Sequence, residues 1–209
     1  MKRVHRLISD RDVHIATKKA LRGDLLAAKK VLNLLWSYRE VPAVKYVAYA
    51  LVYQIAMNAI VDTSNDCRKC GGVCCKQGAP LPLYDFDLDE MRSHLGSEVD
   101  RHVLRTEGMY LLPRPCPFLR GWECSIHRFK PYACLSYPFA TEDEQLPYIE
   151  RYNGIGIPVP YTPSHCIAAH RVVSIVVNAV DRLRTAYGRD PTPIELLEYL
   201  AASTKRVDA

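Results

Sequence analysis

Outside the span from Cys67 to Cys166 the 209-residue chain has no cysteine, and nowhere does it show an internal repeat or a low-complexity tract. Solenoid and tail-like architectures are thereby set aside. No apolar run is long enough for a bilayer. The most apolar stretch, Tyr46 to Val61, falls short of the roughly 20 residues a spanning helix needs and contains Gln54 and Asn58. Behind the basic start Met1-Lys2-Arg3-Val4-His5-Arg6 there is neither an apolar h-region nor a small-residue cleavage site, so a secretory signal is not expected and a cytoplasmic, reducing location is. Gly154-Ile155-Gly156 lacks the surrounding strand-to-helix pattern of a dinucleotide fingerprint.

What is present is a 48% apolar fraction, enough for a real core, and eight cysteines that such a core does not need as staples. In a reducing compartment clustered thiols read as metal ligands or redox groups. The net charge of +5 is uneven: residues 1–30 carry nine Lys or Arg against Asp10, Asp12 and Asp24, so this segment is +6 and the remainder −1. Such a segment can contact nucleic acid, an acidic partner or a membrane surface, but its charges interleave with apolar residues at helical spacing, which favours a solvated helix face.

Helical periodicity begins at Asp10 and is broken by Gly23; Asp24 caps a second helix whose apolar face holds Leu25, Leu26, Ala28, Val31, Leu32, Leu35 and Trp36. Pro42 suits the first turn of a third helix, running to about Asp62 beneath the cysteines, with Tyr46, Tyr49 and Tyr53 as a packing stripe. Asp87 and Glu90 have capping-box spacing for a short helix ending near Gly96, and Val99 to Glu107 is a further candidate helix. The Gly-containing turn between Cys116 and Cys124 predicts a hairpin. Residues 140–163 read as a long loop or irregular strand. Thr162-Pro163 predicts a helix from about Ser164 to Tyr187 with Cys166 in its first turn, and Thr192-Pro193-Ile194-Glu195 opens a last helix running to about Ser203, with a frayed tail beyond Lys205. The expected fold is mainly α with a small irregular or hairpin cysteine-rich region: a helical segment over 1–63, a cysteine cluster over 64–170 and packing helices over 171–209, forming one compact unit around a metal or iron–sulfur centre.

The ligand pool is Cys67, Cys70, Cys74, Cys75, Cys116, Cys124, Cys134 and Cys166. Cys67 and Cys70 have the spacing that aims two thiolates at one ion or at two corners of a cluster, with Gly71-Gly72 letting the chain fold closely behind them. Side chains of the adjacent pair Cys74 and Cys75 diverge, so the pair is a branch point between two centres. Eight thiols fit two four-thiolate sites, of zinc or iron–sulfur type, or one such site plus a redox pair. Zinc sites usually pair two C-x-x-C knuckles and only one is present. Flanking aromatics, Phe118, Trp122, Phe129, Tyr132, Tyr137 and Phe139, could shield a cluster, and together these points favour a [4Fe–4S] type over zinc. His94 and His102 read as surface residues, and His127, His165 and His170 as solvated or packed. The thiol order is the reverse of the radical S-adenosylmethionine triplet, and no barrel pattern accompanies it.

The run Cys67-Arg-Lys-Cys70-Gly-Gly-Val-Cys74-Cys75, then Cys116-Pro-Phe-Leu, then Cys124-Ser-Ile-His-Arg-Phe-Lys-Pro-Tyr-Ala-Cys134-Leu-Ser-Tyr-Pro138, resembles the cysteine-cluster family named for its C-x-x-C-x-x-C-C signature. The resemblance implies zinc or iron chelation over roughly residues 65 to 140. Three residues rather than two separate Cys70 from Cys74, and Lys130 and Leu135 stand where arginines are usual. The same cluster occurs in flagellin lysine N-methylases. Two functions follow from the resemblance and the residues: a metal or iron–sulfur protein with a redox or accessory role and a redox or other protein partner, and, as the alternative, a protein-modifying enzyme such as a lysine methylase with a structural cluster.

Overall fold

The computed structural model describes residues 9–140 and 142–204; the basic residues 1–8 and the tail beyond Lys205 lie outside them. Ten α-helices dominate the described residues, with two small sheets between them. Helix α1 (Asp10–Leu21) opens on a capping box in which Ser9 and Asp12 bond each other's backbone, and α2 (Leu25–Ser37) is capped by Asp24, which accepts the Ala27 N–H at 3.0 Å. Leu25 and Leu26 sit in the first turn of α2 and are exposed, so the apolar face is narrower than the pattern predicts. Pro42 occupies the first turn of α3 (Pro42–Ile55), which continues as a π-helical turn over Ala56–Ile60.

The large core packs α1, α2 and α3 against α9 (Ile167–Tyr187) and α10 (Pro193–Thr204), and takes in Leu135 and Phe139 from the cysteine-rich region. Fully buried Leu21, Leu32 and Ile55 each contribute about 1.5–3 kcal/mol by leaving water. The predicted tyrosine stripe is core: Tyr46 donates to the Gln145 side-chain oxygen at 3.0 Å and Tyr49 to the Pro191 carbonyl at 2.8 Å. The last helix opens on the predicted capping box, Thr192 and Glu195 bonding reciprocally. Among the described residues no single helix is long and apolar enough to cross a membrane.

A second, smaller core gathers Leu83, Leu88, Met91, Val99, Leu112, Cys116, Phe118 and Ile126. It is built on a three-stranded antiparallel sheet, β1 (Leu81–Leu83), β3 (Met109–Leu112) and β2 (Leu104–Thr106) in that order, covered by α6 (Asp85–Leu95). Two expectations change here. Asp87 is not the N-cap of α6 but the third residue after it, its carboxylate accepting the N–H of the N-cap Tyr84 at 3.3 Å, and Val99 to Glu107 divides into a 3₁₀ turn (Gly96–His102) and strand β2.

Asp87 has a second task. It is fully buried and ion-paired with buried Lys18 of α1, and it accepts the Tyr132 N–H at 2.9 Å; Glu90 pairs with Lys18 at 2.7 Å and with Arg22 at 2.5 Å, while Arg22 also donates to the Lys130 carbonyl at 2.9 Å. The charges of the basic segment are therefore partly spent inside the molecule, with Lys29 on Glu198 and Arg11 near Asp89 as further pairs. The result is a clamp that fixes the backbone of residues 130–132, just ahead of Cys134.

This clamp titrates. Burial pushes the Glu90 carboxyl up, but the hydrogen bonds from Arg22 and Lys18 outweigh it and hold it near 2, below its ordinary 4.5. A depressed carboxyl gives stability that is full above about 4.5 and is lost as pH falls toward 2. With solvent screening the loss expected is about 1–2 kcal/mol, and urea unfolding at stepped pH should show Glu90→Gln with a shallower acid limb than the natural chain.

Residues 140–163 are the largest departure. Helix α8 (Glu142–Arg151) runs through Pro147, where a loop is predicted. Its buried Gln145 accepts from Tyr46 and the Tyr161 N–H and donates to the Pro138 and Tyr161 carbonyls, so one amide binds the helix, α3 and the following extended chain together.

Candidate metal centre

Between the two cores lies a cleft of about 680 Å³, and all eight cysteines line it. The π-helical turn that follows α3 lines one side of it, with Asn58 fixed by donating to the Gln54 and Leu135 carbonyls at 2.9 and 2.8 Å. A π-turn widens the helix locally and is common beside functional sites. Leu81, Leu112 and Ile126 of the small core and Ile60, Val61 and Ala168 of the large one supply apolar wall.

The nine-residue stretch from Cys67 to Cys75 lies on two short helices, α4 (Ser64–Cys70) and α5 (Val73–Lys76). Gly71 and Gly72 between them have φ of 68° and 72°. Two successive left-handed residues reverse the chain, at a cost to any side chain of roughly 1–2 kcal/mol each. A Cβ on Gly72 would also stand 3.3 Å from Leu119, because the hairpin of β4 (Leu119–Arg120) and β5 (Glu123–Cys124) packs directly over it. This is the hairpin expected between Cys116 and Cys124, with Leu119 paired to Cys124.

Cys134 sits in α7 (Tyr132–Ser136), and Cys166 is the N-cap of α9 rather than a first-turn residue, the helix starting at Ile167. Its thiol is pushed up by burial, which outweighs the effect of the helix terminus. Burial likewise raises the thiols of Cys67, Cys116 and Cys124, and Cys134 to about 12. At Cys134, Arg114 and Lys130 pull the other way. The adjacent pair behaves differently: a hydrogen bond from the Cys74 thiol to the Cys75 sulfur lowers Cys75 and raises Cys74. All eight cysteines are free.

Two cations in the cleft wall were not singled out by the sequence pattern as parts of the site. Arg114 lies between Pro113 and Pro115, two residues before Cys116; its buried Nη1 has no hydrogen-bond partner among the described residues. Lys130 lines the same wall. An unpaired buried guanidinium nitrogen is costly, and an anionic group in the cleft would satisfy it. Eight thiols and an orphaned cation form a donor set that fits a thiolate-ligated metal or cluster, whose four ligands carry a net negative charge.

Of the aromatics expected to shield a cluster, Trp122 and Tyr137 line the cleft, while Phe118 and Phe139 fill the two cores. Phe129 and Tyr132 pack against those cores half-buried. His127 also lines the cleft, its imidazole held below the usual value by burial and by Lys130. His94, His102, His165 and His170 are exposed, His165 bonded to the Tyr137 hydroxyl at 2.8 Å. Among the described residues, no three Cys, His, Asp or Glu side chains already converge on one point. The thiols ring the cleft, and gathering four around a single ion would need side-chain rotation, since at a Zn–S bond of about 2.3 Å tetrahedral sulfurs stand about 3.8 Å apart.

Fold and cleft together define a mainly helical protein that encloses a cysteine-lined site between two cores. Residues 66–152 match the CxxCxxCC family, described as a "putative zinc- or iron-chelating domain". That stretch holds seven of the eight cysteines, and Cys166 follows it on the next helix. No curated protein and no solved structure matches the chain.

Proposed function

We propose that the chain is an iron–sulfur protein whose cleft thiols hold clusters of the [4Fe–4S] type, with an electron-transfer or accessory redox role in the cytoplasm. The observation that carries this reading is the lining of a single cleft by all eight thiols. A cleft of about 680 Å³ has room for a polynuclear cluster, whose ligand sulfurs stand farther apart than those on a lone zinc ion. A cluster so bound would supply one-electron chemistry. The chain's own residues would set its potential: Arg114 and Lys130 by positive charge, and Leu81, Leu112, Ile126 and Trp122 by keeping water out.

The free thiols suit a reducing compartment, and the partner such a role calls for is a second redox protein. Four of the cations in residues 1–30 are already paired within the chain, which leaves less positive surface for nucleic acid. The test is an absorption spectrum of protein purified without oxygen. A broad visible band that bleaches with dithionite and fades in air is expected. A colourless protein carrying zinc would overturn the iron–sulfur reading.

A further inference from the structure

The walls of the cleft belong to different cores, and the thiols divide with them. Cys166 is part of the large core and Cys67 packs on it; Cys116 is part of the small core, with Cys75, Cys124 and Cys134 packed on that one. Separate tethers hold each group. The Cys116 N–H donates to the Cys75 carbonyl at 2.7 Å, and the hairpin that carries Cys124 begins three residues later, its Leu119 N–H bonded to the Cys116 carbonyl at 3.1 Å. Helix α4, which carries Cys67 and Cys70, docks at the start of α9 beside Cys166, where Arg171 pairs with buried Asp66 at 2.7 Å and donates to the Asp62 carbonyl.

Electrostatic neighbours follow the same line. Cys75 acts on Cys116, Cys124 and Cys134, while Cys67 and Cys70 act on Cys166. Cys74 feels Cys166, and it touches the other group only through Cys75. The Cys74 thiol bonds the Cys75 sulfur, but successive residues of a helix point about 100° apart, so rotation about each Cα–Cβ bond turns the two thiols of α5 toward different centres.

We infer that the cleft holds two four-thiolate centres, one on Cys75, Cys116, Cys124 and Cys134 against the small core, the other on Cys67, Cys70, Cys74 and Cys166 against the large core. This rests on the metal-binding reading above and divides its ligands. Rotation of the cysteine side chains gathers each set, and the backbone tethers keep the sets apart. Arg114 acts on Cys74 as well as on Cys75, Cys116 and Cys134, so its guanidinium stands between the two centres.

The test uses half-buried cysteines, so that the cores stay intact. Three double variants are purified without oxygen: Cys124→Ser with Cys134→Ser, Cys67→Ser with Cys70→Ser, and the crossed pair Cys70→Ser with Cys124→Ser. Metal per chain is counted and folding is checked by circular dichroism. Each same-set pair should keep about half the metal of the natural chain, and the crossed pair should keep almost none. If either same-set pair loses all its metal while still folded, the division is wrong although metal binding stands. A natural chain without metal overturns both readings. Should the same-set variants fail to fold, cobalt(II) titration of the metal-free natural chain decides: thiolate-to-cobalt absorption should saturate at two ions per chain, and saturation at one contradicts the proposal.

Discussion

Replacing Arg114 with methionine should weaken metal retention by about 10- to 100-fold, the usual cost of losing a group that supports the ligands from outside. The same change should leave the metal-free fold as stable as before or make it more stable. Both signs come from one atom. Without an anion in the cleft, Nη1 is buried with no partner among the described residues, so an apolar side chain of similar length removes an unsatisfied donor. With thiolates gathered around metal, the guanidinium offsets their negative charge, as its lowering effect on Cys74, Cys75, Cys116 and Cys134 shows. Chelator competition reads the first effect and thermal unfolding of metal-free protein the second. Unchanged retention in the competition would mean that Arg114 does not face the bound group.

Asp87→Ala should cost about 3 kcal/mol of stability, the low end of the range for breaking a buried ion pair. Asp87 is fully buried on Lys18, itself only 6% exposed in its side chain, and it also accepts the Tyr132 N–H. Glu90 remains 2.7 Å from Lys18 and keeps the cation from being stranded, which is why the upper end of the range is not expected. The effect should reach the cleft, because the lost acceptor fixed the first residue of the helix that carries Cys134. Urea unfolding measures the stability, and chelator competition on the same variant should show faster metal loss. A variant as stable as the natural chain would contradict the clamp.

These two sites mark where the sequence was legible and where it was not. Local signals carried far: Asp24, Pro42 and Thr192 begin helices where their chemistry says they should, and the Gly turn after Cys116 makes the hairpin. The gathering of all eight thiols on one cleft, and the burial of Tyr46, Tyr49 and Tyr53, were also readable, because cysteine spacing and apolar periodicity are local patterns. Long-range pairing was not. Asp87 and Glu90 have cap spacing, but Tyr84 is the N-cap, and a buried lysine 69 residues away takes one Asp87 oxygen for an ion pair while the other accepts the Tyr84 N–H, a sharing that spacing cannot reveal.

Helix α8 was hidden by Pro147, which opposes helix by local preference although the acids of the first turn favour it; Gln145 anchors it through tertiary bonds that outweigh the proline. Cys166 caps its helix instead of lying inside it, since Thr162 and Pro163 belong to the extended chain held by Gln145. Arg114 gave only a faint signal, a cation between prolines beside a cysteine. Its role depends on what faces its guanidinium, which only the packing of two cores determines.

The central claim is that the cleft thiols bind metal as clusters, and counting iron, acid-labile sulfide and zinc on one sample of anaerobically purified chain tests it most directly. Two [4Fe–4S] centres would give about eight iron and about eight sulfide per chain with little zinc. A fully folded chain carrying zinc without iron and sulfide, or neither metal, would contradict the claim.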